Sequence, residues 1–155
     1  LFQYAVPNGW YWLVYALVLP MVIDVSAYYF GSMFGKKKML PSISPNKSWI
    51  GFFSGIAVAM LVSVLYFASV FSGEFPLITI GKAMAFGLLS GLVIGVVAQF
   101  GDWLMSALKR WCGINDFSKL LPGHGGVLDR FDSIFYSLPA TLILSICFYL
   151  IKRGT

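Results

Sequence analysis

The chain has 155 residues, of which 59% are hydrophobic and 11% charged, and apolar runs of about 20 residues recur, the length a helix needs to cross a bilayer core. A soluble domain of this size could not cover four such runs. The net charge of +5 is not gathered into a soluble basic domain, which argues against a nucleic-acid partner. The expected architecture is an all-α, polytopic integral membrane helix bundle, one domain over residues 1–155. A chain that opens at Leu1 rather than Met is expected to be a fragment or a processed form, and its first residues lack the basic segment of a signal peptide.

The first membrane helix is expected over about 10–30. It carries Pro20 as a candidate kink and Asp24 near its end, and its opening aromatics, Trp10, Tyr11 and Trp12, suit an interfacial belt. A polar loop follows, GSMFGKKKMLPSISPNKS, with four lysines and two prolines, too polar and too broken to span. The second helix is expected over about 49–71, with Ser54, Gly55 and Ala57 as small packing residues. The third is expected over about 82–108, where Gly87, Ser90, Gly91 and Gly95 fall largely on one face. The fourth is expected over about 129–151, with Pro139 inside it. The two cysteines, Cys112 and Cys147, lack metal-ligand spacing and are expected to be free thiols.

Basic residues set the expected orientation. The loops after the first and third helices carry Lys36, Lys37, Lys38, Lys47, Lys109, Arg110, Lys119 and Arg130, against Lys82, Lys152 and Arg153 on the other side. Eight against three places the two long loops in the cytoplasm.

Charge concentrates in one stretch, Gly101 to Asp132. It holds four of the six acidic residues (Asp102, Asp116, Asp129, Asp132) and the sole histidine, His124. Near a bilayer such residues are costly unless they face a partner, a metal or water. Asp24 and Asp102 are expected roughly 10 Å inside the cytoplasmic end, given 1.5 Å per residue. Asp129 and Asp132, spaced i, i+3, share a face at a helix start. Four carboxylates from three helices can therefore converge beside two basic loops.

Carboxylates alone would serve a proton or cation pathway. Here they accompany basic pairs and the run Pro122-Gly123-His124-Gly125-Gly126. Hard oxygen ligands recruit Mg²⁺, which completes its shell with water and substrate phosphates. Lysine and arginine offset phosphate charge, and glycines admit backbone N–H groups to phosphate oxygens. The expected site handles a metal-bound polyphosphate, for phosphoryl or nucleotidyl transfer to a lipid.

Ser106, Lys109-Arg110, Asp116, Pro122 to Gly126, Asp129-Arg130 and Asp132 have the spacing of a long, specific motif. Upstream stand Asp24, Ala27-Tyr28, Gly31, Phe34-Gly35-Lys36, Ser44-Pro45, Lys47-Ser48 and Gly51. In both halves the chain resembles the phosphatidate cytidylyltransferase (CDP-diacylglycerol synthase) family, and specifically the C-terminal part of typical members. The resemblance implies that CTP and phosphatidic acid give CDP-diacylglycerol and pyrophosphate. It implies metal-binding Asp102 and Asp129, holding Mg²⁺ with or without a second cation, with Asp132 and Lys109 completing the catalytic set. It implies substrate contacts from Lys36, Ser44, Lys47, Ser48, Ser106, Arg110, Asp116, Gly123, His124, Gly125, Gly126 and Arg130. It places the protein in the lipid bilayer, with the active site facing the cytoplasm, in a bacterial inner membrane or its equivalent; small residues on apolar faces also allow a homodimer.

The chain departs from the family pattern at Ser32, Ile50 and Asn115, where an arginine, an acidic residue and a lysine are usual. Plainer readings stand beside the functional ones. Asp24 suits a packing residue paired with a serine or tyrosine, Lys36 to Lys38 suit topogenic charge, and Lys109 and Arg110 suit snorkelling anchors. His124 suits a loop-fixing residue. The alternative for the whole chain is an inactive relative or a cation-handling bundle.

Overall fold

The computed structural model describes residues 9–40, 44–70, 80–113 and 132–153. In chain order it has α1 (Gly9–Phe34), β1 (Lys38–Leu40), β2 (Ser44–Ser48), α2 (Trp49–Val70), α3 (Ile80–Trp111) and α4 (Asp132–Arg153). All four helices are long and apolar enough to cross a membrane. The expected spans are all present; α1 runs four residues further at its C-terminal end and α3 three residues further. The loop after α1 is not wholly irregular. Its strands pair antiparallel, Lys38 with Ser48 and Leu40 with Ser44.

Along α2 the buried residues are Gly51, Gly55, Ala59, Ser63 and Phe67, one every four positions. That period draws a narrow inward stripe along a helix. The stripe is built mostly of small residues because lipid tails offer no hydrophobic drive for association, so helices hold by close van der Waals approach. On α3, Gly87, Gly91 and Gly95 face this stripe. A Cβ on Gly91 would lie 2.7 Å from Ala59 O, Met60 Cα and Ser63 Oγ. The expected small-residue face of α3 is thus its seam with α2. Ala57, expected among the packing residues, is exposed, because it stands off the four-residue register.

The core gathers Trp12, Tyr15, Ala16, Leu19 and Ile23 of α1, Ala59 and Phe67 of α2, Ile94 and Ala98 of α3, and Phe148 of α4. Trp12 corrects an expectation. It does not sit in an interfacial belt with Trp10 and Tyr11; it is 1% exposed, whereas Trp10 is 69% exposed. Its ring meets Phe67 at 5.4 Å and Phe148 at 5.7 Å in edge-on packing, the geometry that suits aromatic quadrupoles. It shares an inward face with Tyr15, Ala16 and Leu19 at helical spacing. Beside it, the Tyr15 hydroxyl joins Ser63 Oγ at 2.7 Å and Ser90 Oγ at 3.0 Å, tying α1, α2 and α3 together inside the apolar layer.

With 32 residues, α3 is about 48 Å long, well over the roughly 30 Å of a hydrocarbon core. An untilted helix of that length exceeds the core by about 12 residues. Lys109 and Arg110 occupy its last turn, where cations complement the helix dipole.

Candidate active site

Residues 99–102 of α3 fasten three other elements at one level. Gln99 Nε2 donates to Phe52 O in the first turn of α2, at 2.9 Å. Gly101 lies against α4, where a Cβ would come 2.5 Å from Tyr136 Cδ2. Asp102 Oδ2 forms an ion pair with Lys47 Nζ of β2. Sequence reading did not single out Gln99; a polar residue in an apolar run is the signal that marks it.

Lys47 is delivered to Asp102 by its neighbour Ser48. Ser48 caps α2: its Oγ accepts from Gly51 N at 3.2 Å, the arrangement of a serine N-cap serving the third helical residue. The same hydroxyl donates to Gly31 O of α1 at 3.4 Å. The backbone adds Trp49 N to Lys37 O at 3.3 Å. Close approach is possible because glycines stand on both sides. A Cβ on Gly51 would lie 2.5 Å from Ala27 O, and one on Gly35 would run into Gly31 O and the Ser48 side chain. Ser48, expected to contact substrate, is 3% exposed, and its hydroxyl bonds to Gly31 and Gly51 within the fold.

Asp24 lies on α1 and accepts a 2.6 Å hydrogen bond from Ser133 Oγ, in the first turn of α4. The serine pairing open to Asp24 is therefore present, and it joins α1 to the helix start that directly follows Asp129 and Arg130. Asp102, Ser106 and Lys109, at i, i+4 and i+7, lie on one face of α3. All three are half-buried, and Arg110 beside them is exposed. Lys36 is exposed beyond the end of α1.

Asp116, Pro122, Gly123, His124, Gly125, Gly126, Asp129 and Arg130 lie outside the described residues, as do the side chains of Ser44 and Asp132. Among the described residues, no group of three or more His, Cys, Asp or Glu side chains could hold a metal. The described carboxylates are hard oxygen donors, however, and Mg²⁺ takes only one or two from a protein before water and phosphates complete its shell. Asp102 fits as one of them. The thiols of Cys112 and Cys147 are free and exposed.

Two of the three departures from the family pattern are described. Ser32 is exposed and donates its hydroxyl to Tyr29 O at 2.9 Å, within α1. Ile50 is 44% exposed in the first turn of α2, which holds no acidic residue.

The chain is similar to known proteins of one family. A family model described as the cytidylyltransferase family matches residues 1–148. The chain is 37% identical over 141 residues to a protein of Staphylococcus aureus (strain COL) named phosphatidate cytidylyltransferase, covering 90% of this chain and 50% of that protein. Proteins of the same name from Staphylococcus haemolyticus (strain JCSC1435) and Staphylococcus epidermidis (strain ATCC 12228) are 37% and 38% identical over the same shares. The chain spans about half the length of the curated relatives it matches. With a match over residues 1–148, nearly its whole length, the chain belongs to the cytidylyltransferase family.

Proposed function

We propose that this chain carries the cytidylyl-transfer site of a phosphatidate cytidylyltransferase, converting CTP and phosphatidic acid to CDP-diacylglycerol and pyrophosphate at the cytoplasmic face of the membrane. The observation that carries this reading is the meeting of Lys47 with Asp102, 55 positions apart. It joins Lys47 of the upstream half of the motif to the face of α3 that also carries Ser106 and Lys109. The name printed for the relatives supports the same reaction, and the excess of basic residues in the two loops supports the orientation.

In this reading a phosphatidate oxygen attacks the α-phosphorus of CTP in line, and pyrophosphate leaves. No covalent enzyme intermediate is required, so the protein positions two anionic substrates and offsets their charge. Asp102 and Asp129 would hold Mg²⁺, which when bound supplies neutralisation of the phosphate oxygens. Lys109, Arg110 and Arg130 contribute fixed positive charge. The backbone of Gly123 to Gly126 offers N–H groups to phosphate. Lys36 and Lys47 reach the nucleotide from the first loop, while Ser106 orients groups on the Asp102 face of α3. In this reading the excess length of α3 carries Asp102, Ser106 and Lys109 to the membrane edge, where a lipid headgroup and a water-soluble nucleotide can meet.

The test is transfer of label from α-labelled CTP to phosphatidic acid in mixed micelles with Mg²⁺. Transfer is expected for the native chain, and is expected to stop on chelation or in Asp129→Asn. Folded protein that binds no CTP with Mg²⁺ present would refute the reading.

A further inference from the structure

Lys47 Nζ is buried against Asp102 Oδ2, yet among the described residues it has no hydrogen-bond partner of good geometry. The contact is an ion pair that holds the ammonium against the carboxylate by charge. Its two ends differ in freedom. Asp102 is anchored on α3 between Gln99 and Gly101 contacts. The Lys47 backbone is fixed by the Ser48 cap, but its ammonium sits on a flexible four-carbon stem. A half-buried carboxylate at the membrane edge needs a counter-charge at all times, and a divalent cation on the same oxygens would be repelled by an ammonium left in place.

We infer that Lys47 is the resting counterion of Asp102, which a divalent cation displaces, freeing the ammonium to swing to the incoming phosphate. This rests on the reading of Asp102 as a metal ligand. Lys47 and the cation then compete for one carboxylate. The exchange keeps that carboxylate compensated both before and after metal entry, and it turns Lys47 toward nucleotide only once the cation is seated. Lys47 acts here as a positioning residue with a role before any substrate arrives.

The inference gives a sign opposite to a merely structural role: removing Lys47 strengthens metal binding. The experiment titrates Mn²⁺, followed by electron paramagnetic resonance, into the nucleotide-free protein in detergent micelles. Lys47→Met and Lys47→Gln are expected to bind Mn²⁺ about tenfold tighter or more than native protein, because the competing charge is gone. Lys47→Arg is expected to stay near native. Lys38→Met, which removes an exposed charge from the same loop, controls for net charge and is expected to change the affinity less than about twofold. Asp102→Asn is expected to lose the site. Should Lys47→Met fail to fold, Lys47→Gln carries the same criterion. Mn²⁺ affinity in the Lys47 variants no greater than in Lys38→Met, with the site lost in Asp102→Asn, overturns this inference and leaves Asp102 as a ligand. Native-like binding in Asp102→Asn overturns both.

Discussion

Ser133 donates a 2.6 Å hydrogen bond to the Asp24 carboxylate across 109 positions of sequence. It fixes the start of α4 against α1, directly after the segment that contains Asp129 and Arg130. A hydrogen bond to a charged acceptor contributes about 1.5–3 kcal/mol. Ser133→Ala is expected to lower thermal stability in detergent by that order, and Asp24→Ala likewise. In the double variant the two losses should fall short of additive, since both remove one interaction. Additive losses in a double-mutant cycle of melting data would show that the pair does not act as a unit.

The seam between α2 and α3 predicts opposite effects for two glycines of one helix. Gly91→Val drives a side chain into the α2 backbone at Ala59 and Met60 and should cost about 1–3 kcal/mol or prevent assembly. Gly81→Ala meets nothing within 4 Å and should be neutral or stabilise by about 0.4–1 kcal/mol through the reduced freedom of the unfolded chain. Thermal melts of both variants in one detergent check the contrast.

Tyr15→Phe keeps the ring and removes only the hydroxyl that bonds Ser63 and Ser90. Interhelical hydrogen bonds inside bilayers average about 0.6 kcal/mol and reach about 1.7. The variant should therefore melt slightly earlier yet keep its turnover per folded molecule. A large loss of turnover at unchanged stability would give this buried cluster a part in the chemistry.

Ile50 stands in the first turn of α2, where a carboxylate would face the positive end of the helix dipole. Ile50→Glu should raise stability by about 0.3–1 kcal/mol at low salt and less as ionic strength rises. Melting curves at two salt concentrations test the sign and its screening.

Four spans, the polar loop after α1, the glycine face of α3 and the motif on which the site reading rests could all be read from the chain. Each depends on local composition, on helical period or on linear spacing. The inward face of α1 could not be read in this way. Where one side of a helix meets lipid and the other meets protein, both are apolar, and the pattern that reveals the buried side of a soluble helix is lost. Trp12 therefore looked interfacial and is core. That Ser48 caps α2 was likewise not read from the chain. A serine or tyrosine partner suited Asp24 from the outset, but only the relative depth and rotation of α1 and α4 made it Ser133. In the same way, the pairing of Lys47 with Asp102 depends on where β2 leaves the strand pair and how far α3 reaches. Composition determined that this protein lies in a membrane, and linear spacing carried its resemblance to a family. Which charges meet was decided by tertiary packing, because the rotation and depth of each helix are set by its neighbours.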